Sequence, residues 1–301
     1  MSGTYFWKYH GIGNDFVILD RTGGGRPVSA PDAVRICDRH RGVGADGVLT
    51  LLPSAKASFR MHIRNSDGSI AEMCGNGIRC AVKFAVERAG AEARGGDRAV
   101  AMLKAVVRNP GRGAGVRAVS VETGRGVLQC LAMIRGSEVE SVVVDMGAPI
   151  LDRSGIPMKG KGRFVGGKVE ALGKTFKATA VGMGNPHLVL FHRDDMADAL
   201  KFGPMLERSP LFPKRTNVEF ARAVSGTKIH AVVWERGVGI TEACGTGACA
   251  TAVAFALAGI SPFGTELSVG LPGGVLWITV PEDLGAVYMR GPAEEVFTGA
   301  W

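Results

Sequence analysis

Two short runs, Cys74-Gly75-Asn76-Gly77 and Cys244-Gly245-Thr246-Gly247, constrain this chain more than any other feature. One such run means little. Here the surroundings repeat as well. Gly11-Ile12-Gly13-Asn14 returns as Gly182-Met183-Gly184-Asn185, with Asn14 60 residues before Cys74 and Asn185 59 before Cys244. Asn65 and Glu235 each stand 9 residues before their cysteine. Kept order and kept spacing imply two copies of one structural unit.

Each cysteine run opens a helix. Ile78, Ala81, Val82, Ala85, Val86 and Ala89 fall at helical spacing, with Gly90 as a stop. From Ala248 to Ala258 the second helix carries no charge, which predicts burial on nearly all sides, and Gly259 ends it. Short β-rich runs at Phe16–Leu19, Val142–Val144, Leu188–Phe191, Ala231–Trp234 and Leu276–Val280 predict strands separated by glycine-rich turns. The fold expected is α/β (α+β) with two pseudo-symmetric domains. Each is a curved, mostly antiparallel sheet or barrel around a central buried helix, with the active site in the cleft between domains. The first spans 1–140 and the second 141–291, with the tail 292–301 returning to the first.

A thiol at a helix start meets unpaired N–H groups and the positive end of the dipole, which favour thiolate. The same N–H groups can hold a carboxylate, and glycines let a ligand approach the backbone. Two such starts facing each other would place one sulfur on either side of a carbon bearing that carboxylate. Inversion at carbon asks for this layout, since one group removes a proton and the other delivers one. Other cysteine chemistries fit less of the pattern. A hydrolase using one cysteine with His187 leaves the second run unexplained, and a dithiol redox enzyme would favour a CxxC pair, which is absent.

Composition narrows the remaining classes. The net charge of +8 suits anionic ligands. Basic residues thicken between Arg88 and Arg117 without aromatics for base stacking, so nucleic acid is not expected there. That stretch reads instead as an exposed hairpin or insertion. Six cysteines without metal-like pairing imply no structural metal, and most of them read as small buried hydrophobes. The N-terminal residues hold no apolar run of signal-peptide length, and Ala248–Ile260 is too short to span a bilayer. The expectation is therefore a cytoplasmic protein with no membrane partner.

Eight segments together are highly specific. They are HGIGNDF from His10, RGVGAD from Arg41, NSDGS from Asn65, MCGNG from Met73, GNPH from Gly184, Asn217, ERG from Glu235 and ACGTGA from Ala243. In this order the chain closely resembles the diaminopimelate epimerase family. The resemblance implies conversion of LL- to meso-diaminopimelate, on the route to lysine and peptidoglycan, without pyridoxal phosphate or any other cofactor, in a homodimer. It makes Cys74 and Cys244 the acid/base pair, with His187 and Glu235 as polar groups close to the thiols. Gly75, Asn76, Gly245 and Thr246 match the cradle for the reacting carboxylate. Asn65, Asn185, Asn217 and Arg236 match residues that hold the distal end, and Asn14 matches a binding asparagine. Three features depart from the pattern: Ile240 replaces a usual glutamate, Gly47 stands where some members have glutamine, and the stretch from Gly95 to Gly115 looks like an insertion in the first unit. Alternatives within this reading are a racemase of another amino acid, such as histidine, and a silent member that only binds ligand.

Overall fold

The computed structural model describes residues 4–88, 103, 114–193 and 196–301. The chain forms two units: Met1–Asp145 with Arg290–Trp301, and Met146–Met289. Most of the basic stretch between Arg88 and Arg117 lies outside the described residues.

In the first unit, β1 (Tyr5–Gly11) and β2 (Asn14–Asp20) form a hairpin. Its two-residue turn has positive φ at both Ile12 (49°) and Gly13 (91°), a geometry that matches the natural twist of paired strands. Helix α1 (Ala30–Cys37) then carries the chain to β3 (Gly47–Leu52), which lies parallel to β2. Ser29 caps α1 by accepting from the Asp32 N–H. Next come β4 (Phe59–Asn65), antiparallel to β3, and the short β5 (Ile70–Ala71). Helix α2 (Gly75–Arg88) follows, and after it β6 (Ala114–Thr123) lies parallel to β4 and antiparallel to β7 (Gly126–Arg135), which in turn pairs with β8 (Glu138–Asp145). The last strand of the chain, β18 (Glu294–Ala300), pairs with β1.

The second unit repeats this plan element by element. The hairpin is β10 (Lys174–Gly182) and β11 (Pro186–Phe191), with β9 (Gly167–Ala171) beside β10. Helix α3 (Met196–Glu207) leads to β12 (Asn217–Ser225), parallel to β11. Then come β13 (Lys228–Glu235), the short β14 (Gly239–Thr241) and helix α4 (Gly245–Leu257). Strand β15 (Glu266–Leu271) lies parallel to β13 and pairs with β16 (Gly274–Thr279). Strand β17 (Tyr288–Gly291) completes the list, its first two residues ending the second unit and its last two belonging to the first.

Both units therefore use two parallel crossovers, each made by a helix, inside a mostly antiparallel sheet. Curvature of each sheet follows from what the second helix touches. Helix α2 contacts β1, β2, β3, β4, β6, β7 and β8, and α4 contacts β10, β11, β12, β13, β15 and β16. Helix α4 is buried from Gly247 to Ala256, as its lack of charge predicts. In the second unit, α3 packs Ala199, Phe202 and Leu206 into an apolar cluster with Phe176, Phe212 and Phe220. The register of the repeat is also kept. Phe16, Gly47 and Asn65 lie side by side on β2, β3 and β4, and at the matching places His187 pairs with Asn217 on β11 and β12, and Val218 with Trp234 on β12 and β13.

The terminal segment is tied into the first unit by more than strand pairing. Fully buried Arg79 donates from Nε to the Pro292 carbonyl at 3.1 Å, and Tyr9 donates to Glu295 at 2.6 Å. An ion-pair network fastens the hairpin. The buried ammonium of Lys8 meets the Gly44 carbonyl and lies 2.6 Å from Asp15, while Arg39 reaches both Asp15 and Asp46. Burial alone would push Asp15 up, but hydrogen bonds and charge from Arg39 and Lys8 outweigh it and hold the carboxyl at about 2. Its contribution is thus present above the ordinary aspartate range and is lost as pH falls from about 4 towards 2. Asp15→Ala should cost about 3 kcal/mol by leaving Lys8 buried without its partner. The check is denaturant unfolding at pH 7 and pH 3, where the gap between wild type and variant should narrow at the lower pH.

Candidate active site

Each cysteine run sits at a helix start, and the two starts share a local geometry. Cys74 Sγ accepts from the Gly77 N–H at 3.4 Å, and Cys244 Sγ accepts from the Gly247 N–H at 3.3 Å. The cysteine carbonyls begin the helical ladder, accepting from Ile78 and Ala248 at 2.9 Å each. Each sulfur is therefore the cap of its helix, satisfying one of the N–H groups that have no partner inside it. The glycine is needed because the helix start is buried. A side chain begun at Gly77 would meet Leu49 at 3.2 Å, and one begun at Gly247 would meet Glu219 Oε1 at 3.0 Å.

In the first unit the structure brings Asn14, Cys74 and Asn76 together. Asn14 Oδ1 accepts from Asn76 Nδ2 at 3.2 Å and lies 3.7 Å from Cys74 Sγ, while Asn14 Nδ2 donates to Asp46 at 2.6 Å. The repeated GxGN motif is the hairpin turn that delivers this asparagine. Asn65 closes β4 and donates to Ser69 Oγ at 2.9 Å. Gly47 beside it has no room to spare, since a Cβ there would begin 2.7 Å from the Arg64 carbonyl. This close approach accounts for glycine at this departure from the pattern.

In the second unit His187 is fully buried, between Glu219 Oε1 at 2.6 Å from Nδ1 and Asn185 Oδ1 at 2.8 Å from Nε2. Asn217 is almost fully buried and bridges two segments. Its Nδ2 donates to the Pro186 carbonyl at 3.2 Å, and its Oδ1 accepts from the Arg236 N–H at 2.8 Å. Arg236 is exposed, and its guanidinium donates to the Lys214 carbonyl at 3.1 Å. Glu235 accepts from Thr241 Oγ1 at 2.6 Å, and Thr246 Oγ1 lies 3.5 Å from Cys244 Sγ.

Three carboxylates of consequence are assigned no role from sequence, although Asp46 closes the RGVGAD segment. Glu207, at the end of α3, accepts from Trp234 Nε1 at 2.9 Å and from the Gly237 N–H at 3.0 Å, bracing the turn that presents Arg236. Asp46 holds Asn14, and Glu219 holds His187. Glu219 had one signal, an acidic residue amid the apolar run Val218–Ala221. Ile240 is clearer. It pairs with Trp234 and packs on the apolar cluster beneath α3, so at this position the chain has hydrophobic contact rather than a gap in a polar site.

The expectation of a thiol poised toward thiolate is not met at Cys244. Burial is the largest influence and raises it well above the ordinary thiol value, with Glu235 and Glu219 adding in the same direction. The Thr246 hydroxyl and the Gly247 N–H pull the other way but do not prevail.

The model for the diaminopimelate epimerase family matches residues 6–151 and 179–296. The chain belongs to the diaminopimelate epimerase family. It is 48% identical over 300 residues to a diaminopimelate epimerase of Desulforudis audaxviator, with 98% of each chain covered. To the epimerase of Pelotomaculum thermopropionicum it is 46% identical, covering 99% of this chain and 98% of that one. Among solved structures, a probable proline racemase from Agrobacterium radiobacter matches with a TM-score of 0.68 at 14% identity, over 99% of this chain and 92% of that one. A hydroxyproline epimerase from Agrobacterium vitis matches at 0.65 and 14%, over 98% and 91%. Fold and enzyme class agree: this diaminopimelate epimerase family member is an isomerase. None of its described helices is long and apolar enough to cross a membrane.

Four buried thiols of this family member are held above their ordinary range, chiefly by burial. Cys37 rises to about 11 and Cys80 to about 12, and Cys130 and Cys244 rise as well. In the unfolded chain they titrate near ~8.5. The unfolded state therefore loses protons first, and stability declines as pH climbs past ~8.5. Thermal midpoints measured under reducing conditions from pH 7.5 to 10.5 should fall steadily. A flat curve would show that these thiols are not buried.

Proposed function

We propose that this enzyme interconverts LL- and meso-diaminopimelate, supplying lysine and peptidoglycan precursors, by a two-base reaction. Cys74 and Cys244 act on opposite faces of one α-carbon. The observation that carries this reading is the duplicated helix start, in which a cysteine sulfur caps a buried, glycine-led helix in each unit. In either direction one sulfur, as thiolate, takes the α-proton, and the other, as thiol, gives its proton to the opposite face. The electron pair left on carbon is delocalised into the adjacent carboxylate. N–H groups at Gly75, Asn76, Gly245 and Thr246 hold that carboxylate, where preorganised donors act most strongly on developing charge. One proton is removed and one added, and no oxidant or further reactant is needed.

The distal end of the substrate is a second amino-acid centre. In this proposal it is read by Asn65, Asn185, Asn217 and Arg236, with Asn14 beside Cys74. Asn217 and Glu207 support the role of Arg236, since they fix the backbone on either side of it through the Arg236 and Gly237 N–H groups. A guanidinium binds a carboxylate through two parallel hydrogen bonds that an ammonium cannot copy. Arg236→Lys should lose at least ~10-fold in kcat/KM for diaminopimelate. An amino acid lacking a second carboxylate should suffer much less. Equal losses in steady-state assays of both would show that Arg236 does not read the distal end.

The mechanism itself is tested by reaction in heavy water. The abstracted hydrogen stays on one sulfur, while the product receives its hydrogen from the other, already exchanged with solvent. At early times inverted product should carry deuterium and remaining substrate almost none, in both directions. Cys74→Ala and Cys244→Ala should each abolish inversion, because each removes either base or acid. Early transfer of the original hydrogen into product, or near-normal turnover by either variant, would overturn the two-cysteine reading.

A further inference from the structure

The two helix starts repeat in backbone and differ in what lies behind them. Leu49 follows Gly47 by two residues on β3, and Glu219 follows Asn217 by two on β12, so the two positions correspond. The glycines confirm the match. A side chain begun at Gly77 would meet Leu49, and one begun at Gly247 would meet Glu219. The partners correspond too, Phe16 in the first unit and His187 in the second. Where the first unit places a leucine and a phenylalanine, the second places a fully buried carboxyl bonded to a fully buried imidazole.

The carboxyl is close to the sulfur. Glu219 Oε1 and Cys244 Sγ lie 3.0 and 3.2 Å from the single point where a Gly247 side chain would begin. The two atoms therefore lie within a side chain's breadth of one another, and both residues are buried. Burying a carboxyl in a strand is costly, and its other oxygen, Oε2, is buried without a hydrogen-bond partner. A group kept at such cost in a fold that accepts leucine at the equivalent place points to a functional reason.

We propose that Glu219 is a positioning residue that makes the two cysteines unequal. Buried behind the Cys244 helix and anchored by His187, it reserves Cys244 for the thiol form and leaves Cys74 as the resting base. This rests on the two-cysteine reading above. Two acidic groups this close in a dry setting do not both ionise readily, and a carboxyl ionises before a thiol. The charged groups bearing on Cys244 are Glu219 from β12, with His187 of β11 on its far side, and Glu235 from β13. Of the other strands packed on α4, β10 brings Lys174 and Lys177 and β15 brings Glu266, all exposed or half-exposed, and β16 brings no charge. Glu235 follows Trp234, the partner of Val218, as Asn65 follows Arg64, the partner of Val48, so its counterpart in the first unit is Asn65 and the contrast between units is reinforced.

The test uses full-length protein labelled with 13C at the cysteine β-carbons, whose shift reports thiol against thiolate, titrated from pH 6 to 10.5. Cys74→Ser and Cys244→Ser assign the two signals. In wild type, Cys244 should ionise at higher pH than Cys74. Glu219→Gln and Glu219→Leu should each lower the Cys244 midpoint by about one pH unit or more and leave that of Cys74 in place. Leu49→Glu should raise the Cys74 midpoint, and this arm survives should both Glu219 variants fail to fold. In turnover, Glu219→Gln should reduce kcat with KM held within about twofold, and the alkaline limb of the pH–rate profile should move down with the Cys244 midpoint. A Cys244 midpoint unmoved in every folded variant, or both cysteines shifting together, would overturn the proposal. The titration needs no substrate, so a protein that shows this contrast yet inverts no diaminopimelate would refute the function and not the assignment of Glu219 to Cys244.

Discussion

A helix that starts inside a curved sheet must find partners for N–H groups its own ladder leaves unpaired. Much of this structure answers that demand. In each unit a cysteine sulfur takes the N–H of the residue three positions on, and glycine lets the helix start lie against the strands. The remaining N–H groups give the site its capacity to hold an anion. In the reaction proposed above the capping sulfur and the reactive sulfur are one atom, so the interaction that starts the helix would also fix where the chemistry takes place.

Much of this was legible in the sequence. The repeated cysteine and GxGN runs announced a duplicated unit, and the charge-free run after Cys244 announced a buried helix. Phe16–Leu19, Leu188–Phe191 and Ala231–Trp234 all lie within strands. These signals are local or periodic, which is why they survive in one dimension. What stayed hidden depends on pairing between distant segments. Nothing near Glu207 in the chain says that it braces the turn after Glu235, and nothing near Lys8 says that Asp15 and Gly44 will close around it. Ile240 reads as a missing carboxylate because the family pattern usually has a glutamate there. Its neighbour across the strand is Trp234, and that contact decides its environment. The thiol at Cys244 was misjudged for a related reason. The helix start is visible in sequence, whereas the degree of burial and the two carboxylates from other strands are not.

Repetition with departures also separates scaffold from specialisation. Positions that both units fill alike, such as the hairpin asparagines and the glycine after each sulfur, serve geometry that both halves need. Positions filled differently, Phe16 against His187 and Leu49 against Glu219, sit on the same scaffold at matched places. Each unit therefore serves as an internal control for the other. A substitution that copies one unit's residue into the other asks a chemical question with little change of backbone.

The return of β18 to β1 has a consequence for the order in which the protein can be made. The second unit is one continuous stretch of chain, complete by Met289. The first lacks an edge strand, the carbonyl that Arg79 bonds and the carboxylate that Tyr9 bonds until the last dozen residues exist. During synthesis the half begun first is therefore the half finished last. Until then it holds an open sheet edge and a buried guanidinium short of a partner, while the later half has all it needs to fold.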